Sequence, residues 1–285
     1  MLAVFLFAAA AQSLSANNYA LDEPMPAHAA KLLWADEFSE SSLDTTKWSF
    51  DTSRNKLGWY NGELQYYAAN RPENLRLENG HLVIELRKDP QRLRRFADWG
   101  KQKYSSAKIF TKDKFAFAGG FIEVSARLPC ARGTWPAIWM LPQNDSQWPE
   151  GGEIDILEQV GSQPNVAHAT LHTALFNHTH GNGRGAETPV PTACSAFHRY
   201  QLAWTPTAIT IGVDDHAYMR VRNDQPGGRG AWPFDSPFYL ILNLAMGGDW
   251  AAAKGIDDAA LPQRMEVDYV RVWELPLEKA PPGAD

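Results

Sequence analysis

Short apolar runs with alternating polar positions recur along the chain, and turn residues separate them. In the first half these runs lie at residues 31–38, 81–87, 115–128, 137–141, 153–160 and 166–175. In the second half they lie at residues 197–205, 208–213, 216–222, 238–246 and 265–273. Convincing helical periodicity is lacking, although residues 88–104 have room for a short helix. Many alternating strands without helices predict an all-β chain, folded as an antiparallel sandwich or barrel.

The strand-rich region, residues 31–275, is expected to form one domain. A chain of 285 residues is long enough to bury a single large core. Residues 17–30 are polar and contain two prolines, so we expect a linker there. Residues 276–285 are rich in proline, and we expect them to form a flexible tail.

Residues 1–16 are apolar and end in small residues, which is typical of a secretory signal peptide. The run is short for a membrane anchor, although no Lys or Arg precedes it. We therefore expect a secreted or periplasmic protein that is monomeric and has no membrane anchor. The two cysteines, Cys130 and Cys194, permit one disulfide bond in an exported protein but do not require it.

Charge and aromatic content narrow the class of partner. The net charge of -6 and the pI near 5.8 give no reason to expect nucleic acid, because proteins that bind polyanions carry a basic patch. A neutral ligand fits this charge better. Eleven Trp residues are many for a soluble chain, and exposed indole faces are suited to stacking against sugar rings. Most of these Trp side chains are still expected in the core.

Residues 151–161 place three acids in an otherwise apolar strand. Glu153 and Asp155 share one face of that strand because side chains alternate. Glu158 would fall on the opposite, core-facing side, where a lone carboxylate is costly. An extra residue at 156–157 would form a bulge and bring all three acids to one face. A solvated acidic face is the alternative, but the clustering of the acids favours a catalytic carboxylate site.

This strand resembles the active-site strand of glycoside hydrolase family 16, in the bulged Glu-x-Asp-x-x-Glu form of its laminarinase-like endo-β-1,3-glucanases. Five further segments resemble their counterparts in the same family, in the same order. They are residues 34–38, 61–67, 133–142, 238–244 and 267–272. The resemblance covers roughly residues 32–273. It implies a β-jelly roll sandwich of two antiparallel sheets with an open concave substrate cleft.

The resemblance also implies a retaining hydrolase that works by double displacement and requires no cofactor for catalysis. Glu153 would be the nucleophile, and Glu158 would be the general acid and then the general base. Asp155 would form a hydrogen bond to Glu153 and orient it. Because Glu153 and Asp155 are nearby anions, we expect the pKa of Glu158 to be raised.

Five residues are predicted to bind substrate. Trp135 and Trp139 share a strand face and would present two ring platforms, which the resemblance places on the glycone side; core packing is the alternative. Asn61 and Glu63 would offer an amide and a carboxylate to sugar hydroxyls, the alternative being an ordinary turn and surface pair. The family pattern places His172, on the following strand, near the acid/base, although a lone strand histidine is more often structural.

The family often binds a structural calcium ion remote from catalysis, through hard oxygen ligands. Matching motifs imply Glu37, the carbonyl of Gly80, and Asp268 as the protein ligands here. Ordinary solvated acids at strand ends are the alternative reading of this set.

Three function classes follow, and a β-glucan polysaccharide is the expected partner in the first and the third. The first is a secreted retaining endo-β-1,3-glucanase acting on laminarin-like or mixed-linkage glucan. The second is a hydrolase or transglycosylase of another β-linked polysaccharide, such as a galactan. The third is a non-catalytic β-glucan-binding module, which the three carboxylates disfavour. Departures from the laminarinase pattern at residues 119–121 and 251–252 leave the fine substrate preference open. The basic residues of 88–103 are taken as a solvated face, with an anionic polysaccharide as the alternative partner.

Overall fold

The computed structural model describes residues 19–28, 31–144 and 146–276. Over these residues the chain forms eighteen strands and two short α-helices. The strands are β1 (Ala20–Pro24), β2 (Leu32–Asp36), β3 (Ser49–Phe50), β4 (Gln65–Tyr67), β5 (Leu75–Glu78), β6 (His81–Lys88), β7 (Tyr104–Ser106), β8 (Lys108–Phe110), β9 (Gly120–Arg127), β10 (Thr134–Pro142), β11 (Glu153–Glu158), β12 (Val166–His172), β13 (Arg184–Pro189), β14 (His198–Trp204), β15 (Ala208–Val213), β16 (His216–Arg222), β17 (Phe238–Met246) and β18 (Gln263–Trp273). The helices are α1 (Pro90–Leu93) and α2 (Gly248–Ala251), and 3-10 turns lie at Tyr60–Gly62, His178–His180, Gly228–Gly230 and Asp258–Ala260.

The strands form two packed sheets. One has eleven strands in the order β1-β16-β15-β14-β9-β18-β6-β7-β4, with β2 joined to β18 and β5 joined to β6. The other has seven strands in the order β13-β12-β11-β10-β17-β8-β3. Among the described strands, β4 and β7 alone pair in parallel. The predicted all-β jelly roll of two antiparallel sheets is therefore confirmed.

The core lies between the sheets and draws side chains from both of them. Two interior strands, β9 in the larger sheet and β17 in the smaller one, are buried at nearly every position. Large aromatic side chains fill the space between the layers, among them Trp48, Trp204 and Phe238. Each such side chain stabilises the fold by roughly 1.5–3 kcal/mol relative to an exposed position.

One segment predicted as linker is a strand. Ala20–Pro24 pairs antiparallel with β16 at the edge of the larger sheet, so the linker prediction for residues 17–30 is wrong there. Four of its five side chains are exposed, and no apolar alternation marks the strand in the sequence. Backbone pairing with β16 holds this strand in position instead. Just before the strand, Tyr19 O accepts a hydrogen bond from Arg220 N at 2.9 Å.

The chain ends fall largely outside the described residues. The predicted signal peptide, residues 1–16, lies there, as does the predicted tail beyond its first residue. Within the described residues no helix has the length and apolar character needed to cross a bilayer.

A disulfide bond joins Cys130 to Cys194, which the sequence left open. Their Cα atoms are 5.8 Å apart, and 64 positions separate them in the chain. The bond links the segment before β10 to the segment after β13. It therefore ties together two connections at one end of the sandwich that are distant in sequence.

Removing this disulfide should destabilise the protein. A cross-link that closes a loop of this length lowers the entropy of the unfolded chain and stabilises the native state by about 4 kcal/mol. We expect the Cys130→Ser/Cys194→Ser double variant to lose that much free energy of unfolding in a denaturant titration. A reducing agent should lower the midpoint of the wild type and leave the double variant unchanged. Equal midpoints for the oxidised and reduced wild type would contradict the prediction.

Candidate active site

A bulge in β11 brings its three acids to one face. Asp155 lies opposite Trp139 of β10, and Leu157 lies opposite the preceding residue, Ile138, so Ile156 is the extra residue. The register with β12 shifts at the same place. The bulge that the acid spacing predicted is therefore confirmed. Glu153, Asp155 and Glu158 all face away from the core, between apolar residues that face into it.

A glycine fixes where the chain turns into β11. Gly152 has φ 83°, a left-handed conformation that other residues rarely adopt. A Cβ atom at this position would also lie 2.6 Å from Pro233 Cγ and 3.0 Å from Phe234 Cε1. Only glycine fits against Pro233 and Phe234 in that conformation, and Glu153 is the next residue.

The acids line a cleft of about 620 Å³ on the outer face of the seven-stranded sheet. Alternation along β10 explains its wall, because Ile138 and Met140 point into the core while their neighbours point outward. The structure brings the three predicted catalytic acids and four predicted substrate-binding residues together in this cleft. These four are Asn61, Glu63, Trp135 and Trp139.

Glu158 is held in place by an indole. Trp135 Nε1 donates a hydrogen bond to Glu158 Oε1 at 3.0 Å, so Trp135 supports the acid as well as lining the cleft. Burial and, after it, the charge of Asp155 raise the pKa of Glu158 to about 8, while His172 and Trp135 oppose the shift. The direction agrees with the sequence argument. The main cause is burial rather than the neighbouring anions.

His168 is a neutral neighbour of Glu158. It lies opposite Glu158 on β12, and its ring meets the Trp250 ring edge-on at 4.9 Å. Burial lowers the pKa of His168 to about 4. This imidazole therefore adds no positive charge beside Glu158 near neutral pH.

His172 contacts the other two acids. Its Nε2 atom lies 3.4 Å from Asp155 Oδ2 and 3.9 Å from Glu153 Oε1, and the side chain is buried. Burial raises the pKa of Glu153 well above its usual value, the Asp155 charge adds to this, and His172 opposes it. Burial also raises the pKa of Asp155 to about 8, and a hydrogen bond with Glu153 opposes this rise.

Two polar residues of the cleft, Lys108 and Asn243, were not predicted from the sequence. Lys108 Nζ lies 4.9 Å and 5.0 Å from the ring centroids of Trp139 and Trp59, and it pairs with Asp51 Oδ2 at 3.0 Å. Asn243 Oδ1 accepts a hydrogen bond from Trp139 Nε1 at 2.6 Å. The available signal was a single polar side chain within each of the otherwise apolar runs of β8 and β17.

An exposed indole lies near the catalytic acids. Trp148 is 39% exposed, and its ring centroid lies 5.2 Å from that of His178 and 6.0 Å from that of His172. Trp148 and His178 both line the cleft. The sequence signal was an aromatic residue in the proline- and glycine-containing loop just before β11.

Asn61 and Glu63 come from a tight turn on the other side of the cleft. Asn61 has φ 55° within the 3-10 turn Tyr60–Gly62. Glu63 Oε2 accepts a hydrogen bond from Gln65 Nε2 at 2.7 Å, and burial raises the pKa of Glu63. Both side chains are therefore presented to the cleft by backbone geometry close to β4.

Two of the three predicted calcium ligands, Glu37 and Asp268, have other partners. Both carboxylate oxygens of Glu37 accept from Arg271, at 2.8 and 2.7 Å. Asp268 lies 3.7 Å from His81 Nε2, beside the β5–β6 turn that contains Gly80. The Arg271 guanidinium already occupies both carboxylate oxygens of Glu37. As arranged, the Glu37 side chain therefore does not fit the role of a calcium ligand. Calcium binding remains a prediction from the resemblance.

Neutralising Glu158 should stabilise the protein at higher pH. The raised pKa means that the folded state keeps a proton which the unfolded chain releases above its usual pKa of 4.5. The free energy of unfolding therefore falls as pH rises from about 4.5 to about 8. Glu158→Gln escapes this loss, and near pH 8 we expect it to exceed the wild type by at least about 1–2 kcal/mol more than near pH 5.

Denaturant unfolding at the two pH values measures this difference. Glu78→Gln is the matched control, because a hydrogen bond from Arg76 lowers the pKa of Glu78 and its removal should bring no gain at high pH. A difference between Glu158→Gln and the wild type that does not change with pH would refute the prediction.

Comparisons with known proteins agree with this geometry. The sequence model of glycosyl hydrolases family 16 matches residues 62–271. A β-glucanase of Rhodothermus marinus is 45% identical over 252 residues, which are 85% of this chain and 85% of that protein. A keratan-sulfate endo-1,4-β-galactosidase of Sphingobacterium multivorum is 36% identical over 256 residues, which cover 87% of this chain and 56% of that protein.

The fold is also that of solved enzymes. The crystal structure of SCLam, a non-specific endo-β-1,3(4)-glucanase, matches with a TM-score of 0.88 and 50% sequence identity, over 93% of this chain and 99% of that chain. Together with the bulged strand of three carboxylates, these matches decide the family. The chain belongs to glycosyl hydrolase family 16.

Proposed function

We propose that the protein is a secreted, retaining endo-β-1,3-glucanase that hydrolyses laminarin-like β-glucan and also accepts mixed β-1,3-1,4 linkages. The observation that carries the proposal is the cluster Glu153, Asp155 and Glu158, aligned by a bulge in a cleft lined with aromatic side chains. Its likeness to the R. marinus β-glucanase and to SCLam supports a glucan as the substrate. The secreted location rests on residues 1–16 alone.

The first half of the reaction forms a covalent intermediate. Glu153 attacks the anomeric carbon while Glu158 donates its proton to the leaving oxygen. The raised pKa of Glu158 keeps that proton available near neutral pH. For this attack, the proton that Asp155 and Glu153 share in their hydrogen bond must lie on Asp155, whose raised pKa favours its protonated form, so that Glu153 reacts as the ionised nucleophile.

The second half releases the sugar. Glu158 is now a carboxylate and removes a proton from water, which attacks the anomeric carbon and regenerates Glu153. The ester has neutralised Glu153, so the repulsion between Glu153 and an ionised Glu158 is absent at this step. The hydrogen bond from Trp135 Nε1 stabilises the carboxylate form of Glu158. Every group in these steps belongs to one chain, so a monomer suffices and no cofactor is required.

The positions of exposed aromatic residues support cleavage within a long chain. Tyr60, which is 63% exposed, follows β3 at one edge of the seven-stranded sheet. Trp148 contacts His172 on β12, towards the other edge. The carboxylates on β11 lie between these rings, so sugar units have stacking partners on both sides of the scissile bond.

The main alternative is a hydrolase or transglycosylase of another β-linked polysaccharide. The 36% identity to a keratan-sulfate endo-β-galactosidase keeps a galactan in view. A non-catalytic binding module is disfavoured, because such a module has no use for three buried carboxyl groups with raised pKa values.

Laminarin should be cut internally into short oligosaccharides. Reducing-sugar release from laminarin, barley β-glucan, agarose and carrageenan is the measurement, with product lengths followed by chromatography. We expect rapid release from the first two and little from the others. Activity on a galactan without activity on laminarin would transfer the proposal to the second function class.

The roles of the two glutamates can be separated with an activated aryl β-glycoside and azide. Glu158→Ala should still form the intermediate, because an activated leaving group needs little acid assistance. Added azide should then restore turnover and give the β-glycosyl azide by a second inversion. Glu153→Ala cannot form the intermediate, so azide can attack only directly and should give the α-glycosyl azide.

The anomeric configuration of each azide, read by proton NMR, decides the assignment. The wild type with azide is the control and should give mainly the hydrolysed sugar. Exchanged products from the two variants would reverse the assignment of nucleophile and acid/base.

A further inference from the structure

Residues 89–103, between β6 and β7, pack against β4 and the residue after it, and together they form a small apolar cluster outside the main core. Its buried members are Leu93, Tyr66 and Ala68, with Phe96 and Trp99 packed against them. The Phe96 ring stacks on the Tyr66 ring with centroids 5.3 Å apart and planes 18° from parallel. The segment is therefore docked on β4, even though its basic side chains suggest a solvated loop.

Asp98 extends this docking toward the cleft. Its Oδ1 atom accepts from the Tyr66 hydroxyl at 2.7 Å, and its Oδ2 atom accepts from Asn55 Nδ2 at 2.9 Å. Asn55 is fully buried. Its own Oδ1 atom accepts from Trp59 Nε1 at 3.1 Å and from Tyr67 N at 2.9 Å. One buried amide thus connects Asp98 to an indole that lines the cleft.

The two segments also approach each other closely through their backbones. A Cβ atom on Gly100 would lie 2.4 Å from Asn55 O and 3.0 Å from Lys56 O. Gln102 Oε1 accepts from Gly100 N at 2.8 Å, and Gln102 Nε2 donates to Asn55 O. This approach allows no side chain at position 100, so the fit depends on glycine.

Asn55 accepts a hydrogen bond from Trp59, the first of three consecutive cleft residues, Trp59, Tyr60 and Asn61, which we call the 59–61 wall. Trp59 is 7% exposed and meets the Tyr67 ring edge-on at 4.7 Å. Tyr60, in contrast, is 63% exposed, and its side chain contacts Arg54, which lies over the ring and donates to the hydroxyl. The wall therefore depends on Trp59 for its position, and Trp59 depends on Asn55.

We propose that residues 89–103, through Asp98 and Asn55, position the 59–61 wall to bind a sugar unit remote from the catalytic carboxylates. Asp98 is then a positioning residue that sets how much the enzyme gains from a longer substrate. The inference rests on the proposed function in one respect, that the cleft binds a β-glucan chain.

Backbone hydrogen exchange tests the structural link without any substrate. Asp98→Ala removes two hydrogen bonds to a carboxylate, and Gly100→Ala displaces Asn55. In both variants we expect amides of residues 55–62 to exchange roughly tenfold faster or more. Arg94→Ala is the matched control in the same segment, because its ring contact is with Trp99 alone. Unchanged exchange at 55–62 in Asp98→Ala overturns the inference.

Kinetics on short and long linear β-1,3-glucan oligosaccharides test the functional link. We expect Asp98→Ala to raise KM for the hexasaccharide about fivefold or more, with kcat within about twofold, and to leave the trisaccharide nearly unchanged. Asp98→Asn keeps one acceptor and should recover part of the loss. An equal loss on both lengths would indicate general structural damage and overturn the functional part.

The two measurements separate this inference from the proposed function. If the wild type cleaves no β-glucan, the proposed function fails, while hydrogen exchange still decides whether Asp98 holds the wall. The length series is then run with oligosaccharides of whichever polysaccharide the wild type cleaves. A hexasaccharide-to-trisaccharide ratio that is the same in Asp98→Ala and wild type rejects the positioning role in that series too.

Discussion

Burying three carboxyl groups side by side is the constraint on which the rest of this structure depends. Buried charges are tolerated only when they are neutralised, paired or hydrogen-bonded. Here Glu158 has the Trp135 indole, Glu153 and Asp155 have His172, and the raised pKa values keep protons on the cluster. The bulge, the glycine before β11 and the aromatic surroundings all serve this arrangement.

Two kinds of element could be predicted from the sequence. One kind follows the two-residue period of a strand, or is apolar throughout, and the other breaks that period in a way that only a bulge explains. Acids at 153, 155 and 158 cannot share a face of a regular strand, so the bulge could be predicted. Long strands such as β15, β16 and β17 alternate or are continuously apolar, and their predicted bounds agree with the structure. Short strands such as β3 and β7 have too few residues to show a period, and the exposed edge strand β1 has no apolar face.

The site residues that were predicted lie on segments that resemble motifs of the family. Contacts between distant segments were not predictable, because they depend on strand order. Lys108 reaches the cleft since β8 neighbours β17, and Asn243 reaches Trp139 since β17 neighbours β10. The same limit applies to Glu37, whose pairing with Arg271 on β18 was not visible in the motif that suggested a calcium ligand.

The edge strand β1 has a consequence for how the molecule behaves at high concentration. It covers the backbone of β16, which would otherwise be an unpaired strand edge and a template for aggregation. Its own outer edge carries acids and ends at Pro24, and Asp22 and Glu23 pair with His216 and Arg220 at 2.5 and 3.0 Å. Exposed charge and proline are features that keep sheet edges from joining those of other molecules. A polar segment that the sequence predicts to be a linker therefore contributes to solubility.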